Sequence, residues 1–330
     1  MMRTDATPAT ADMQQAQGGP PSTLDAPRGQ GGRQTARSAL AAITSVVLAG
    51  GGNRCWWQAG MWDVLGAEGL APRRVAGVSA GAATACMLLA GKTAQTLEHY
   101  GRMTARNPRN VYPERLLRGE RAFPHAQMYR DALLTLFDTQ ALAVLRGQVP
   151  VYVQVARLPR WLGARSGVVA GILAYQFDKQ MRKLLHPRAG RNLGFEPEVL
   201  LAQNCRTPDE LADLLLASSC TPPFTPVMRL HGRPVLDGGM VDNVPVDALP
   251  PEADDGVTLV LLTRRYPRSL PQTARRVYIQ PSRHVPVRGW DYTNPHGIRA
   301  AYELGRNDAH QLLVRMGERD LATFLENTDG

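Results

Sequence analysis

The chain has 330 residues, 44% of them hydrophobic, and a formal net charge of +9. That apolar content can bury a substantial core, which excludes a chain disordered throughout, and the length permits one or two domains. Four cysteines, at positions 55, 86, 205 and 220, form no C-x-x-C pair and no metal-ligand spacing; this argues against a disulfide framework or a metal site and suits a reducing compartment.

Residues 1–40 open the chain with a stretch rich in Ala, Gln, Gly, Pro and Thr. Too few large apolar side chains occur there to offset the entropy of ordering, so a disordered leader is expected. It lacks the apolar h-region of a secretory signal, and the expected location is cytoplasmic or peripheral to a membrane. The apolar run Thr44 to Leu48 then reads as a buried strand and leads into Gly50-Gly51-Gly52-Asn53-Arg54, with a helix expected from Trp56 to Glu68. Consecutive glycine amides at a helix start form an anion-binding nest, and Arg54 adds a fixed positive charge. A dinucleotide loop would need G-x-G-x-x-G, and Cys55 stands where the last glycine is required.

A second apolar run, Arg73 to Val78, is followed directly by Gly77-Val78-Ser79-Ala80-Gly81 and a small-residue helix from Ala80 to Ala90. Strand, sharp turn and helix are the context in which a G-x-S-x-G serine becomes a nucleophile. The flanking Gly77 and Gly81 are expected to let the backbone take a strained turn that exposes the hydroxyl at the positive end of the helix. The nest at residues 50–54 is then best used as an oxyanion hole for Ser79. As a five-residue match this motif arises often by chance, so the rest of the chain decides its weight.

Helices are expected at Ala94 to Arg106 and His125 to Phe137. From the end of the first of these into the segment that follows run Arg102, Arg106, Arg109, Arg115, Arg118 and Arg121, a basic stretch suited to phosphate or to plain solvation. No nucleic-acid-binding motif accompanies it, and nucleic acid is not expected as a partner. Val149 to Ala156 reads as a strand. The apolar stretch Ser166 to Phe177, flanked by Arg157, Arg160, Arg165, Lys179, Arg182 and Lys183, is too short to span a bilayer and reads either as a core helix or as a lid or membrane contact. A helix over Pro208 to Ser218 opens on Thr207-Pro208-Asp209-Glu210, a capping box with proline at its first position.

Downstream, Leu230 to Leu236 reads as a hairpin that delivers Asp237 of Asp237-Gly238-Gly239 to a strand end. A serine hydroxyl needs a base to accept its proton, and a carboxylate kept from bulk water can serve, which makes Asp237 the candidate base. Strands at Val257 to Thr263 and Arg276 to Gln280, and an amphipathic helix at Gly297 to Val314, complete the pattern. Alternating strands and helices predict an α/β fold with a mostly parallel sheet.

The glycine nest with its arginine, the G-x-S-x-G elbow and the distant D-G-G resemble the patatin-like phospholipase family. The likeness extends to Ala217-Ser218-Ser219-Cys220-Thr221-Pro222-Pro223-Phe224-Thr225-Pro226 and to the closing stretch from Trp290-Asp291-Tyr292 to Gly305-Arg306, and covers roughly residues 43–312. It implies a three-layer α/β/α fold, a catalytic domain over 41–320 with a variable helical cap at about 100–195, and a C-terminal tail at 321–330. It further implies a serine and aspartate dyad cleaving acyl esters of lipids, with Ser79 as nucleophile, Asp237 as base, Gly50, Gly51, Gly52, Asn53 and Arg54 as the oxyanion segment, and no cofactor or metal. Cys55 departs from the family, which has glycine there; its side chain is expected to alter the loop backbone or narrow the mouth. The implied partners are a lipid or ester substrate and an anionic membrane. Two other readings stand beside this one. The first is an esterase with a Ser-Asp-His triad completed by His284, His296 or His310. The second is an inactive membrane-surface protein.

Overall fold

The computed structural model describes residues 30–159, 185–186, 189–222, 224–251 and 256–318. Strands β1 (Ile43–Leu48), β2 (Arg74–Val78), β3 (Val151–Arg157), β4 (Glu196–Leu201), β5 (Met228–Leu230), β6 (Arg233–Asp237), β7 (Val257–Leu261) and β8 (Arg276–Ile279) form one sheet. Its order is β5-β6-β3-β2-β1-β7-β8, with β4 also paired to β3. The run from β3 through β8 is parallel, while β4 and β6 lie antiparallel to β3 and β5 antiparallel to β6.

Helices α1 (Gln30–Ala41), α2 (Trp56–Ala67), α3 (Ala80–Leu89), α4 (Thr93–Ala105), α5 (His125–Leu136), α6 (Thr139–Arg146), α7 (Ala189–Asn192), α8 (Pro208–Ser218) and α9 (Pro295–Glu318) flank the sheet. This is the α/β arrangement with a mostly parallel central sheet that the sequence predicts. Successive strand residues face opposite sides. Val46, Leu48, Leu259 and Leu261 enter the large core shared with α2, α3, α5 and α9. Val47 and Val260 pack instead against Val244, Val246, Tyr266 and Tyr278. Central strands buried on both faces explain the unbroken apolar runs, and each buried leucine or valine contributes about 1.5–3 kcal/mol.

Residues 30–40 of the expected disordered leader are helical. Ala36, Ala39 and Leu40 of α1 are buried in the large core, and the helix packs on α9, where Gly32 lies against the Gly317 carbonyl. Three apolar residues in a helix that short carry little signal, and tertiary packing supplies the stability that propensity does not. Within residues 100–195, β3 is a central strand rather than part of a cap. The apolar stretch at 166–177 lies outside the described residues, as do 1–29 and 319–330. Among the described residues no helix is long and apolar enough to cross a membrane.

One feature of strand pairing positions the site. β4 occupies one edge of β3 from Tyr152 to Arg157, so β2 and β6 share the other edge. On that edge β2 reaches Val78 opposite Gln154, and β6 runs in from the opposite direction to reach Asp237 opposite Val155. The two strands meet end to end, and Ser79 and Asp237 face each other across the junction.

Candidate active site

Ser79 has φ +55° and ψ −136°, a strained conformation for a residue with a side chain, and it caps the start of α3. The strain therefore sits on the serine itself. Gly77 and Gly81 have ordinary φ and do a different job from the one expected: they permit close approach. A Cβ on Gly77 would lie 2.7 Å from Ala82 Cα, and one on Gly81 would lie 2.5 Å from the Leu48 carbonyl oxygen. The first turn of α3 is thereby packed directly on the ends of β1 and β2.

The Ser79 hydroxyl donates to Asp237 Oδ2 at 2.8 Å, and both residues are buried, 8% and 6% exposed. Asp237 is held from two further sides. Its Oδ1 accepts from the Gly239 amide at 2.7 Å, and Oδ2 accepts from Thr221 Oγ1 at 3.3 Å. The hairpin that carries it turns at His231 and Gly232, with φ of 52° and 74°, as a two-residue turn of the mirror-image type requires. Behind the pair, Ser218 Oγ accepts from the Ser79 amide at 2.8 Å and donates to the Gln154 carbonyl at 2.7 Å. Gln154 in turn donates to the carbonyls of Gly238 and Asp242. These two buried side chains, unassigned by sequence reasoning, tie elbow, β3 and the D-G-G turn into one unit.

The glycine loop joins the same unit. Gly50 donates to the Asn243 carbonyl at 3.0 Å and its own carbonyl accepts from Asn243 Nδ2 and Thr263 Oγ1. Gly52 takes φ +57°, the Asn53 amide donates to the Gly289 carbonyl, and the Arg54 amide donates to the Gly51 carbonyl. Gly52 and Asn53 line the cavity at Ser79, whereas Gly50, Gly51 and Arg54 do not. Cys55 has φ −65°, an ordinary helical value, so the side chain does not distort the loop. It forms part of the cavity wall, donates weakly to the Ala49 carbonyl, and burial pushes its thiol up to about 12. That keeps it protonated near neutral pH, which argues against a nucleophilic role.

The cavity opening onto Ser79 encloses about 800 Å³ including its mouth. Its inner wall is apolar, built from Trp56, Ala83, Met87, Leu133, Leu136 and Phe137. At another part of the wall the Trp290 ring stacks on Phe224 at 5.3 Å, with His125 beside it. His125 is 2% exposed; its Nε2 donates to the Trp290 carbonyl at 2.9 Å, and burial lowers its pKa, so the ring is neutral. Histidines 284, 296 and 310 are exposed and none lines the cavity.

Residues 46–250, a span containing the glycine loop, Ser79 and Asp237, match the patatin-like phospholipase family. The chain belongs to the patatin-like phospholipase family. Members of that family are in general lipid acyl hydrolases. Among solved structures, VipD from Legionella pneumophila is similar at 14% identity with a TM-score of 0.40. The likeness covers 82% of this chain and 66% of that one, just under two thirds of its length. Comparison with curated proteins gives no match. All four cysteines of this patatin-like protein are free and buried, and among the described residues no group of three metal-ligating side chains comes together.

Proposed function

We propose that this protein hydrolyses carboxylic ester bonds of lipids, as a phospholipase A or lysophospholipase does, with Ser79 as nucleophile and Asp237 as general base. The observation that carries the reading is the 2.8 Å hydrogen bond from Ser79 Oγ to Asp237 Oδ2 at a strained strand-to-helix turn beside an apolar cavity. Oγ attacks the ester carbonyl carbon as Asp237 takes its proton, and the tetrahedral oxyanion collapses to expel the alcohol, which receives that proton. Water then attacks the acyl-enzyme as Asp237 again accepts a proton, the bond to Oγ breaks to release the fatty acid, and Asp237 returns the proton to Oγ of Ser79.

For the oxyanion, the segment Gly50 to Arg54 narrows to its middle. The amides of Gly50, Asn53 and Arg54 already donate to backbone carbonyls, which favours Gly52, the glycine of the segment that lines the cavity, together with the Ala80 amide at the start of α3. Arg54 adds positive charge to that loop. An acyl chain suits the apolar inner wall, and the chemistry calls for no cofactor. The triad alternative is disfavoured because Ser79 bonds Asp237 directly, with no imidazole between them.

Mass spectrometry after fluorophosphonate treatment, with nitrophenol release from short and long acyl esters, tests the reading. An adduct on Ser79 and loss of turnover in Ser79→Ala and Asp237→Asn are expected. Absence of both adduct and ester cleavage in the wild-type protein would move the inactive membrane-surface reading ahead.

A further inference from the structure

We infer that the loop Tyr112–Ala122, between α4 and α5, is a membrane-docking element that seats the cavity mouth on an anionic lipid bilayer. The inference rests on the lipid-hydrolase reading for its choice of a bilayer. A short 3-10 helix, Pro113–Arg118, forms the loop's tip and ends at Gly119 with φ +70°. It presents Leu116 at 62% and Leu117 at 92% exposure, with Val111 exposed just before it. Nothing in a soluble environment stabilises a leucine held that far into water, whereas the acyl boundary of a bilayer does.

Charge surrounds these side chains. Residues 102–121 hold six arginines, at 102, 106, 109, 115, 118 and 121, against glutamates at 114 and 120. Glu114 is paired with Arg109 at 2.6 Å, and Arg118 and Arg121 are exposed beside the leucines. An aliphatic tip with an arginine collar matches a surface that is apolar within and anionic outside. Nucleic acid would use the arginines and leave the leucines without a partner.

The loop is also pre-shaped and joined to the cavity. Arg109 and Arg115 sit over the Tyr112 ring at 4.8 and 4.7 Å, and the Tyr112 amide donates to the Ala122 carbonyl at 2.7 Å, closing the base. Just before it, Asn107 donates to the Tyr292 carbonyl and Asn110 accepts from the Tyr292 amide. Just after it, Phe123 meets Phe224 edge-on at 4.6 Å. Tyr292 lines the cavity and Phe224 stacks on its wall residue Trp290. A bilayer that receives Leu116 and Leu117 thus meets a loop whose two ends are fastened to the wall of the cavity at Ser79.

The test uses the full chain carrying Ser79→Ala, so that binding is read without turnover, and sedimentation with vesicles of phosphatidylcholine alone or of equal parts phosphatidylcholine and phosphatidylserine. Binding to the anionic vesicles is expected to weaken with salt. Leu116→Ser with Leu117→Ser should weaken it at least about tenfold, and Arg118→Gln with Arg121→Gln by roughly fivefold per charge. Both variants should keep the parent's unfolding temperature, since the side chains are exposed. A fluorophore on Leu117→Cys should shift to the blue when anionic vesicles are added. The inference is overturned if the parent fails to bind anionic vesicles, if the leucine pair can be replaced without effect, or if the fluorophore does not shift. Loss through the arginine variant alone, with tight binding of single-stranded RNA, would reassign the loop to a polyanion. Vesicle binding by a wild-type chain that cleaves no ester would mark failure of the hydrolase reading alone, and ester cleavage by a wild-type chain that does not bind anionic vesicles would mark failure of this one.

Discussion

The Ser79–Asp237 junction and the Tyr112–Ala122 loop stand at opposite limits of how this chain uses backbone and burial. At the junction a strained serine, a carboxylate accepting from several donors and glycines pressed against carbonyls hold the reacting groups from several sides at once. In the loop the closing contacts lie at its base, and its largest apolar side chains point away from the protein. Geometry that has to hold reacting atoms in line must be over-determined by neighbours, whereas a surface that meets a fluid partner needs only shape and chemistry.

The sharpest test of that contrast is at the junction. Ser79→Ala and Asp237→Asn should each lower kcat/KM for an acyl ester by on the order of a thousandfold or more, with folding retained by circular dichroism. Turnover surviving in either variant would break the assignment.

Next comes a pair of glycines. Gly81→Ala forces a methyl to within 2.5 Å of the Leu48 carbonyl oxygen and 2.7 Å of the Ala49 carbonyl oxygen, and should cost about 3 kcal/mol or more in urea unfolding, together with activity. Gly119→Ala meets nothing within 4 Å and suffers only its positive φ, so about 1 kcal/mol is expected. Equal costs at the two sites would mean that the junction is no tighter than the loop.

Histidine replacements sharpen the chemical side. His284→Ala, His296→Ala and His310→Ala should leave kcat within about threefold of wild type, and His125→Gln should alter KM more than kcat because His125 lines the cavity. A loss of several hundredfold at any of them would restore a triad.

The smallest effect concerns pH. Because burial lowers the pKa of His125, the unfolded chain takes up a proton below about pH 6.5 that the folded chain resists. The folded state therefore bears no penalty above that pH and loses stability as the pH falls through it. The decline in Tm from neutral to mildly acid buffer should be shallower in His125→Gln than in the wild type.

Much of the candidate site was legible because its parts are local motifs. G-x-S-x-G, the glycine run and D-G-G each encode a turn whose shape depends on residues within a few positions. What escaped notice was long-range. Gln154 and Ser218 look like ordinary polar residues of a strand and a helix, yet they are buried beneath the elbow, where their hydrogen bonds span 64 to 139 positions. β4 carries Glu196-Pro197-Glu198 at its start, with little of the apolar alternation that marks a strand, and exists by pairing with β3. α1 was hidden because its few apolar residues pack chiefly on α9, near the other end of the chain.

Sequence alone determined most of the strands and helices in their order, the three motifs and the family they resemble, because hydrophobic period and turn chemistry act over neighbouring residues. Only the tertiary structure decided that the strain falls on Ser79 rather than on its glycines, that Cys55 sits in the loop without distorting it, and that β2 and β6 share one edge of β3. That last arrangement depends on which edge β4 occupies, a property of the whole sheet that no segment carries by itself. It brings together a hydroxyl and a carboxylate 158 residues apart.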